Sequence, residues 1–399
     1  MGAQPLLDGA HTRPQSQPRR RRNPCLSSRA DQDPPPESFD QELHVTRSDL
    51  PESKTAAAAI FEAQRLAFAP LAFQVARVLR DTGVLAALCD RQAGMDLVEL
   101  ERQTGLSRYA LRVLTEGGLA TGLLRQKGNK LVLSKTGFFV ENDPMTRANM
   151  DFVGDVCFQG SFHLDEAIRA GKPAGLKVFG DWPTIYEGLA ELPPQAKKSW
   201  FAFDHFYSDT AFPEVLPLVF ARKPKALFDI GGNTGRFSEA AVAFDPDVTV
   251  TILDLEGQLQ VALANAARRG LADRIKGHAI NLLDPQATIP KGADAIWMSQ
   301  FLCCFAEDEV VAILRRAKAA MGPDARLFIL DTYWDRQKHD VAKYCLQMSS
   351  LYFTVMANGN SRMYHSQDIL DCVKTAGLSV TRQTDHLGVS HTLFECRRG

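Results

Sequence analysis

One stretch constrains this chain more than any other: Phe228-Asp229-Ile230-Gly231-Gly232-Asn233-Thr234-Gly235. An apolar strand runs into three glycines and then into a helix-forming segment. Glycines at such a turn permit positive φ and let a ligand approach the backbone. Two ligand classes use this arrangement. A dinucleotide site requires G-x-G-x-x-G, with a pyrophosphate over the helix N-terminus. Counted from Gly231, the second glycine position holds Asn233 and the third holds Arg236, so that fingerprint fails. Asp229 ends the strand beside the turn, where it would repel a pyrophosphate and suit a cation. S-adenosyl-L-methionine carries an ammonium and a sulfonium and has no phosphate.

A second acid supports this choice. The next strand ends in Leu253-Asp254, and Asp254 lies 19 residues after Gly235. That is where an acid accepts hydrogen bonds from ribose hydroxyls, although an acid there can also cap a helix. Around these points strands and helices alternate. Ala226 to Ile230, Val248 to Leu253, Ile275 to Ala279, Ala293 to Met298 and Leu327 to Asp331 read as buried strands. Arg236 to Phe244, Leu259 to Arg269, Asp308 to Met321 and Gln367 to Ala376 read as helices. This is the rhythm of a doubly wound α/β sheet. Ser379 to Thr384 and His391 to Arg397 close the chain as an antiparallel hairpin.

The residues before this domain read differently. Thr55 to Leu88 has helical spacing, which Pro70 should kink or divide. Leu97 to Thr104 is a short amphipathic helix, Gly105 a turn and Ser107 an N-cap for a helix over Arg108 to Gly117. Leu123 to Arg125 and Lys130 to Leu133 flank Lys127-Gly128-Asn129 as a β-hairpin. Together they make a winged helix. Its second helix offers only Arg108 and Arg112 as cations, opposed by Glu116, which favours packing or dimerisation over DNA binding. Residues 145–224 form a helical, aromatic-rich middle, including Phe152, Trp200, Phe203 and Tyr207. That stretch is core, or the wall of a pocket between domains.

Composition narrows the class further. The 399 residues carry a formal net charge of −1, which argues against capture of nucleic acid or anionic membrane as the main function. No apolar run reaches the ~18 residues of a membrane span. The eight cysteines form no C-x-x-C pair, so no metal site is expected, and reduced thiols in the cytoplasm are the default. The basic excess sits in the first residues, with Arg19 to Arg22 among prolines. Residues 1–52 read as a disordered tail or an over-extended reading-frame start. The expected organisation is therefore a tail at 1–52, a winged-helix module at 53–144, a helical pocket region at 145–224 and a cofactor domain at 225–399.

With these features the chain resembles the class I S-adenosylmethionine-dependent methyltransferases. More narrowly, it is similar to the winged-helix small-molecule O-methyltransferases of the caffeate, acetylserotonin and hydroxyneurosporene type. The resemblance runs from about Thr55 to the end. It implies a winged-helix dimerisation domain, a homodimer, a seven-stranded Rossmann-like domain and a small, aromatic or conjugated acceptor. Its cofactor positions fall on Asp229, Gly231, Gly232, Gly235, Asp254, Leu255, Asn281, Leu282, Gln300 and, on the methionine side, Tyr207. Asn281 stands where the family has an adenine-side Asp.

The chain departs from the family at the chemistry. The segment that supplies the family's base histidine reads Ser299-Gln300-Phe301-Leu302-Cys303-Cys304-Phe305 here, with Cys303 in the histidine's place. Of the two carboxylates that orient that histidine, Asp331 keeps one and Ser361 replaces the other. A thiol with pKa ~8.5 is a poor general base, and its ordinary reading is a buried small hydrophobe. Either the acceptor ionises unaided, or a base comes from elsewhere (His205, His365 or Tyr344), or the fold serves another reaction. Met348 and Phe353 are acceptor contacts or core. Two competing functions remain at this level: a winged-helix regulator that senses the cofactor, and a non-methylating enzyme.

Overall fold

A computed structural model describes residues 54–399. The tail at 1–52, with Arg19 to Arg22 and Cys25, lies outside the described residues. Gln64–Gly399 forms one unit. The helical stretch expected over Thr55 to Leu88 is divided near Pro70, into helices α1 (Ala56–Ala67), α2 (Ala69–Asp81) and α3 (Val84–Cys89). The break falls at Phe68, because proline fits the first turn of α2, where its missing N–H costs nothing. A second break follows at Gly83, whose φ of 77° ends helical propagation.

The winged helix follows its expected plan. Helix α4 (Leu97–Thr104) starts on Asp96, which forms a capping box with Glu99. Helix α5 (Arg108–Ala120) starts on Ser107, whose side chain accepts from the Ala110 N–H at 3.2 Å. Strands β1 (Leu124–Lys127) and β2 (Lys130–Leu133) pair antiparallel, with Lys127 opposite Lys130. Leu79, Leu85, Leu100, Leu111 and Leu124 fill the module's core.

The middle contains α6 (Lys135–Asn142), α7 (Pro144–Phe152), α8 (Leu164–Ala170), α9 (Ile185–Gly188), α10 (Pro194–Ser208) and α11 (Phe212–Val219). Helix α7 ends in a single π-helical turn, Val153–Cys157, closed by a bond from the Phe158 N–H to the Val153 carbonyl at 2.8 Å. A second such turn spans Phe353–Ala357. Isolated π turns widen a helix locally and often mark functional sites.

The C-terminal part holds β3 (Ala226–Ile230), α12 (Arg236–Phe244), β4 (Thr249–Asp254), α13 (Glu256–Arg268), β5 (Ile275–Ala279), β6 (Ala295–Ser299) and α14 (Glu307–Ala320). It continues with β7 (Arg326–Asp331), α15 (Asp340–Tyr352), α16 (Ser366–Thr375), β8 (Leu378–Leu387) and β9 (His391–Arg398). The seven strands run β5-β4-β3-β6-β7-β9-β8. Five are mutually parallel, and β9 lies antiparallel between β7 and β8. Both faces are covered, which is why the central strands are almost continuously apolar. Phe237 of α12 stacks on Trp297 of β6 with centroids 4.0 Å apart. The strand order reverses between β3 and β6, and an open parallel sheet gathers ligands at the carboxyl ends of such strands.

Candidate active site

The glycine turn leaves β3 at that reversal. Gly231 has φ 72°, and a Cβ there would lie 2.3 Å from the Phe301 ring, so neither the backbone nor the space admits a side chain. A Cβ at Gly232 would meet Ile252 at 2.8 Å and the Asp229 carboxylate at 3.0 Å. The turn therefore lies flat against the two strand-end acids. Asp229 is buried and accepts from Ser238 Oγ at 2.6 Å. Burial pushes its carboxyl up to about 7, with the nearby Asp254 adding to the effect. Asp254 accepts from the Asn233 N–H at 2.8 Å and the Leu255 N–H at 2.7 Å, and burial pushes it up to about 6. Each of its oxygens keeps a second lone pair for a ligand hydroxyl.

These groups open on one cavity of roughly 990 Å³. Asp229, Gly231, Gly232, Asp254, Leu255, Asn281, Leu282, Gln300, Tyr207, Cys303 and Asp331 all line it. Gly235 does not; with φ 85° it starts α12 behind the turn. Asn281 is exposed and accepts from the Leu283 N–H at 2.9 Å. Gln300 has φ 48°, and its amide oxygen accepts from His391 Nε2 at 2.8 Å. Burial pushes His391 down to about 4, so the ring is neutral. Tyr207 donates to Asn149 Oδ1 at 2.8 Å.

Charge in the wall is one-sided. Glu187, Asp204, Asp229, Asp254, Glu309 and Asp331 face a single arginine, Arg236, which Asp209 holds at 3.3 Å. Asn233 Oδ1 and Ser299 Oγ are buried without a partner in the same wall. A cationic ligand that also offers hydroxyl and amine hydrogens fits this set of acceptors; a pyrophosphate does not. No group of three His, Cys, Asp or Glu side chains among the described residues could hold a metal ion.

At the chemical end, Cys303 is buried, and its N–H donates to Asp331 Oδ2 at 3.3 Å. The adjacent Cys304 thiol, burial and Asp331 all raise the Cys303 thiol well above its usual value, so it stays protonated. Burial pushes Asp331 up to about 7. Ser361 donates to Asn358 Oδ1 at 2.9 Å. The base candidates separate. His365 caps α16, with Nδ1 accepting from the Gln367 N–H at 3.0 Å, and it lies outside the cavity lining. His205 lines the cavity, with Nε2 at 3.3 Å from Thr234 Oγ1. Tyr344 lines it from an exposed position. Met348 and Phe353 are in the lining too.

Comparison with known proteins fits this geometry. An O-methyltransferase domain family matches residues 163–379, and a Dimerisation2-like domain matches residues 61–131. The chain belongs to this O-methyltransferase family. It is an S-adenosylmethionine-dependent methyltransferase. A bacteriochlorophyllide d C-20 methyltransferase of Chlorobaculum tepidum is 26% identical over 250 residues, 61% of this chain and 68% of the relative. Aclacinomycin 10-hydroxylase RdmB of Streptomyces purpurascens is 25% identical over 324 residues, 79% of this chain and 82% of the relative. Among solved structures, the O-methyltransferase NcsB1 of neocarzinostatin biosynthesis, in complex with S-adenosylmethionine and 2-hydroxy-5-methyl naphthoic acid, superposes with a TM-score of 0.62. It is 20% identical and covers 83% of this chain and 96% of its own.

Several residues of the methyltransferase site escape the sequence reading. Asp204 of α10 accepts from Asn233 Nδ2 at 3.0 Å and so braces the glycine turn from the helical region. Burial raises its carboxyl, while His205, Gln300 and Asn233 oppose that shift. Trp200 Nε1 donates to Tyr352 OH at 2.7 Å, joining residues 152 positions apart. The one available signal is the polar pair Asp204-His205 inside an aromatic helix.

Proposed function

We propose that this methyltransferase acts on a small, uncharged, aromatic or conjugated acceptor, with O-methylation favoured. One observation carries the reading: a single cavity is lined by the acid-flanked glycine turn, by Asp331 and by an aromatic wall. Phe152 stacks on Phe203 with centroids 4.0 Å apart and meets Tyr352 edge-on at 4.8 Å, a wall suited to a flat ring system. The excess of carboxylates over arginine disfavours an anionic acceptor.

When bound, S-adenosylmethionine supplies an activated methyl group on a sulfonium. The chain's own residues hold and orient. Asp229, Asp254, Asn233 and the glycine turn form the cofactor cradle, with Leu255, Asn281, Leu282, Gln300 and Tyr207 completing its walls. Much of the rate then follows from proximity and alignment. Asp331 accepts the acceptor's proton at Oδ2. Its raised value suits that task near neutral pH, and Oδ2 is the more weakly held oxygen, with the Cys303 N–H at 3.3 Å against the Thr332 N–H at 2.8 Å on Oδ1. Cys303 does not act as the base; its small side chain leaves room for the acceptor in front of Asp331.

The match to a dimerisation domain supports a homodimer, as do Leu66 on α1, Phe68 at the break and Leu71 on α2, all exposed. No single helix among the described residues is long and apolar enough to cross a membrane. The unpaired thiols support a reducing, cytoplasmic setting. The test combines methyl-labelled cofactor, metabolite extract and mass spectrometry. A labelled conjugated product that disappears with Asp331→Asn is expected. Failure of the wild type to bind S-adenosylmethionine by calorimetry would sink the reading.

A further inference from the structure

Two phenol hydroxyls in the cavity wall have no oxygen or nitrogen acceptor among the described residues. The Tyr186 hydroxyl is buried, and its polar neighbour is the weakly accepting Cys304 thiol. Tyr352 OH receives the Trp200 indole N–H at 2.7 Å. An indole nitrogen can only donate, so the Tyr352 oxygen is the acceptor there and its own hydrogen is left over. Buried hydroxyls are normally satisfied, and an unsatisfied one lining a cavity calls for a ligand. Both residues line the chamber.

Their placement is built into the fold. Tyr186 lies in the first turn of α9, and its carbonyl accepts from Gln258 Nε2 at 2.7 Å. Gln258 belongs to α13, which begins beside Asp254, so the cofactor domain itself fixes Tyr186. Tyr352 is clamped by Trp200 and by the edge-on Phe152 ring, immediately before the π turn at Phe353–Ala357. Tyr352 disfavours ionisation of Tyr186, and both hydroxyls sense the Cys304 thiol. Burial raises both well above the usual phenol value, so both remain donors at neutral pH.

We propose that Tyr186 and Tyr352 donate hydrogen bonds to ring-borne carbonyl or phenol oxygens of the acceptor, and so select oxygenated conjugated rings over hydrocarbons of the same shape. This rests on the methyltransferase reading and names the acceptor's chemistry more closely. Donors aimed at a phenol oxygen favour its ionised form and lower its pKa. The pair thereby lightens the demand on Asp331 where the resemblance leads one to expect a histidine. Tyr186 and Tyr352 are positioning residues for an oxygen and need not touch the transferred methyl.

The test uses the full chain saturated with S-adenosylhomocysteine and two probes, a monohydroxyanthraquinone and anthracene. Titration should show preference for the quinone. Tyr186→Phe and Tyr352→Phe should each weaken quinone binding by about two- to tenfold, the span of one neutral hydrogen bond, and leave anthracene binding unchanged. A purely structural role would weaken both probes alike. Should Tyr352→Phe fail to fold, because it strands the Trp200 N–H, Tyr186→Phe alone decides. Variants that hold the quinone as tightly as the wild type overturn the proposal. So does a wild type that binds it no better than anthracene. Calorimetry with S-adenosylhomocysteine on the same samples separates the two failures, since intact cofactor binding leaves the methyltransferase reading standing.

Discussion

Cofactor affinity should depend on pH in a way set by two buried acids. Asp229 is lifted from its ordinary 3.8 to about 7, which corresponds to about 4 kcal/mol of ionisation cost. Asp254 is lifted from 3.8 to about 6, or about 3 kcal/mol. The two acids repel each other, so these figures do not simply add. At pH 5.5 only about 3% of Asp229 and about a quarter of Asp254 would be ionised. A cation binds the ionised form, so binding should release protons. Between pH 5.5 and pH 7.5 affinity for S-adenosylmethionine should rise about 25-fold if Asp229 alone matters, and about 100-fold if both do. Above pH ~8 it should fall again, as the cofactor's own amino group nears its ordinary value. The sign for stability is opposite. A raised carboxyl favours the fold at low pH, and that contribution is lost as pH rises through about 7. The gap in melting temperature between cofactor-bound and free protein should therefore widen from pH 6 to pH 8. The assay is titration calorimetry across this range in two buffers of different ionisation enthalpy. Asp229→Asn keeps the contact with Ser238 and should flatten the pH profile. Affinity that is constant over the range, with no buffer-dependent heat, would refute the assignment of these acids to the cofactor.

Further outcomes follow from the same geometry. Gly231→Ala should lower S-adenosylmethionine affinity at least about tenfold and the melting temperature by a few degrees, because a left-handed Ala costs ~1–2 kcal/mol and its Cβ meets Phe301; calorimetry and thermal melts check both. Asp331→Asn should abolish methylation of a simple phenol in a product assay while cofactor binding persists. Cys303→His should raise that phenol activity, and no gain would mean that the acceptor chamber has diverged as well. The winged helix should show no sequence-dependent DNA binding, because Arg108 is paired with Glu101 and Lys130 with Glu99. Salt-dependent retention of one genomic fragment over others would restore the regulator reading.

The legible parts of this protein are those governed by local rules. Strand β3, helix α4 and helix α12 lie where apolar periodicity and turn residues put them, because both signals act within a few residues. The turn from Asp229 to Gly235 was legible for the same reason. Helix α5 extends to Ala120, past the expected end at Gly117, because tertiary packing overrides the low helix propensity of Gly117 and Gly118: a Cβ at Gly117 would strike Val75 and one at Gly118 would strike Leu124. The brace from Asp204 to Asn233 and the bond from Trp200 to Tyr352 were not legible. They join distant positions, and the polar pair Asp204-His205 in an aromatic helix is the one local mark, which does not name the partner. The π turns were hidden likewise, since an extra residue in a helical turn leaves the apolar pattern almost intact. His365 misled because a histidine's sequence neighbours do not reveal whether it caps a helix or faces a cavity.

The thiol at position 303 then has a physical reading beyond loss of a base. An imidazole titrates near ~6.5 in water. Without one, Asp331 is surrounded by backbone N–H donors, the Cys303 thiol and the Tyr333 phenol, and burial lifts its carboxyl to about 7. On the proposed mechanism, Asp331 is then the proton acceptor poised near neutrality, a carboxylate oxygen in place of a ring nitrogen. The narrow Cys303 side chain leaves the methyl acceptor room to reach it. Phe152 and Tyr352 touch edge-on, with centroids 4.8 Å apart, and leave no gap between them, so a flat ring would lie along their shared surface and not pass between them. On this mechanism, a carboxylate at position 331 would take the role that the family resemblance gives to a histidine at position 303.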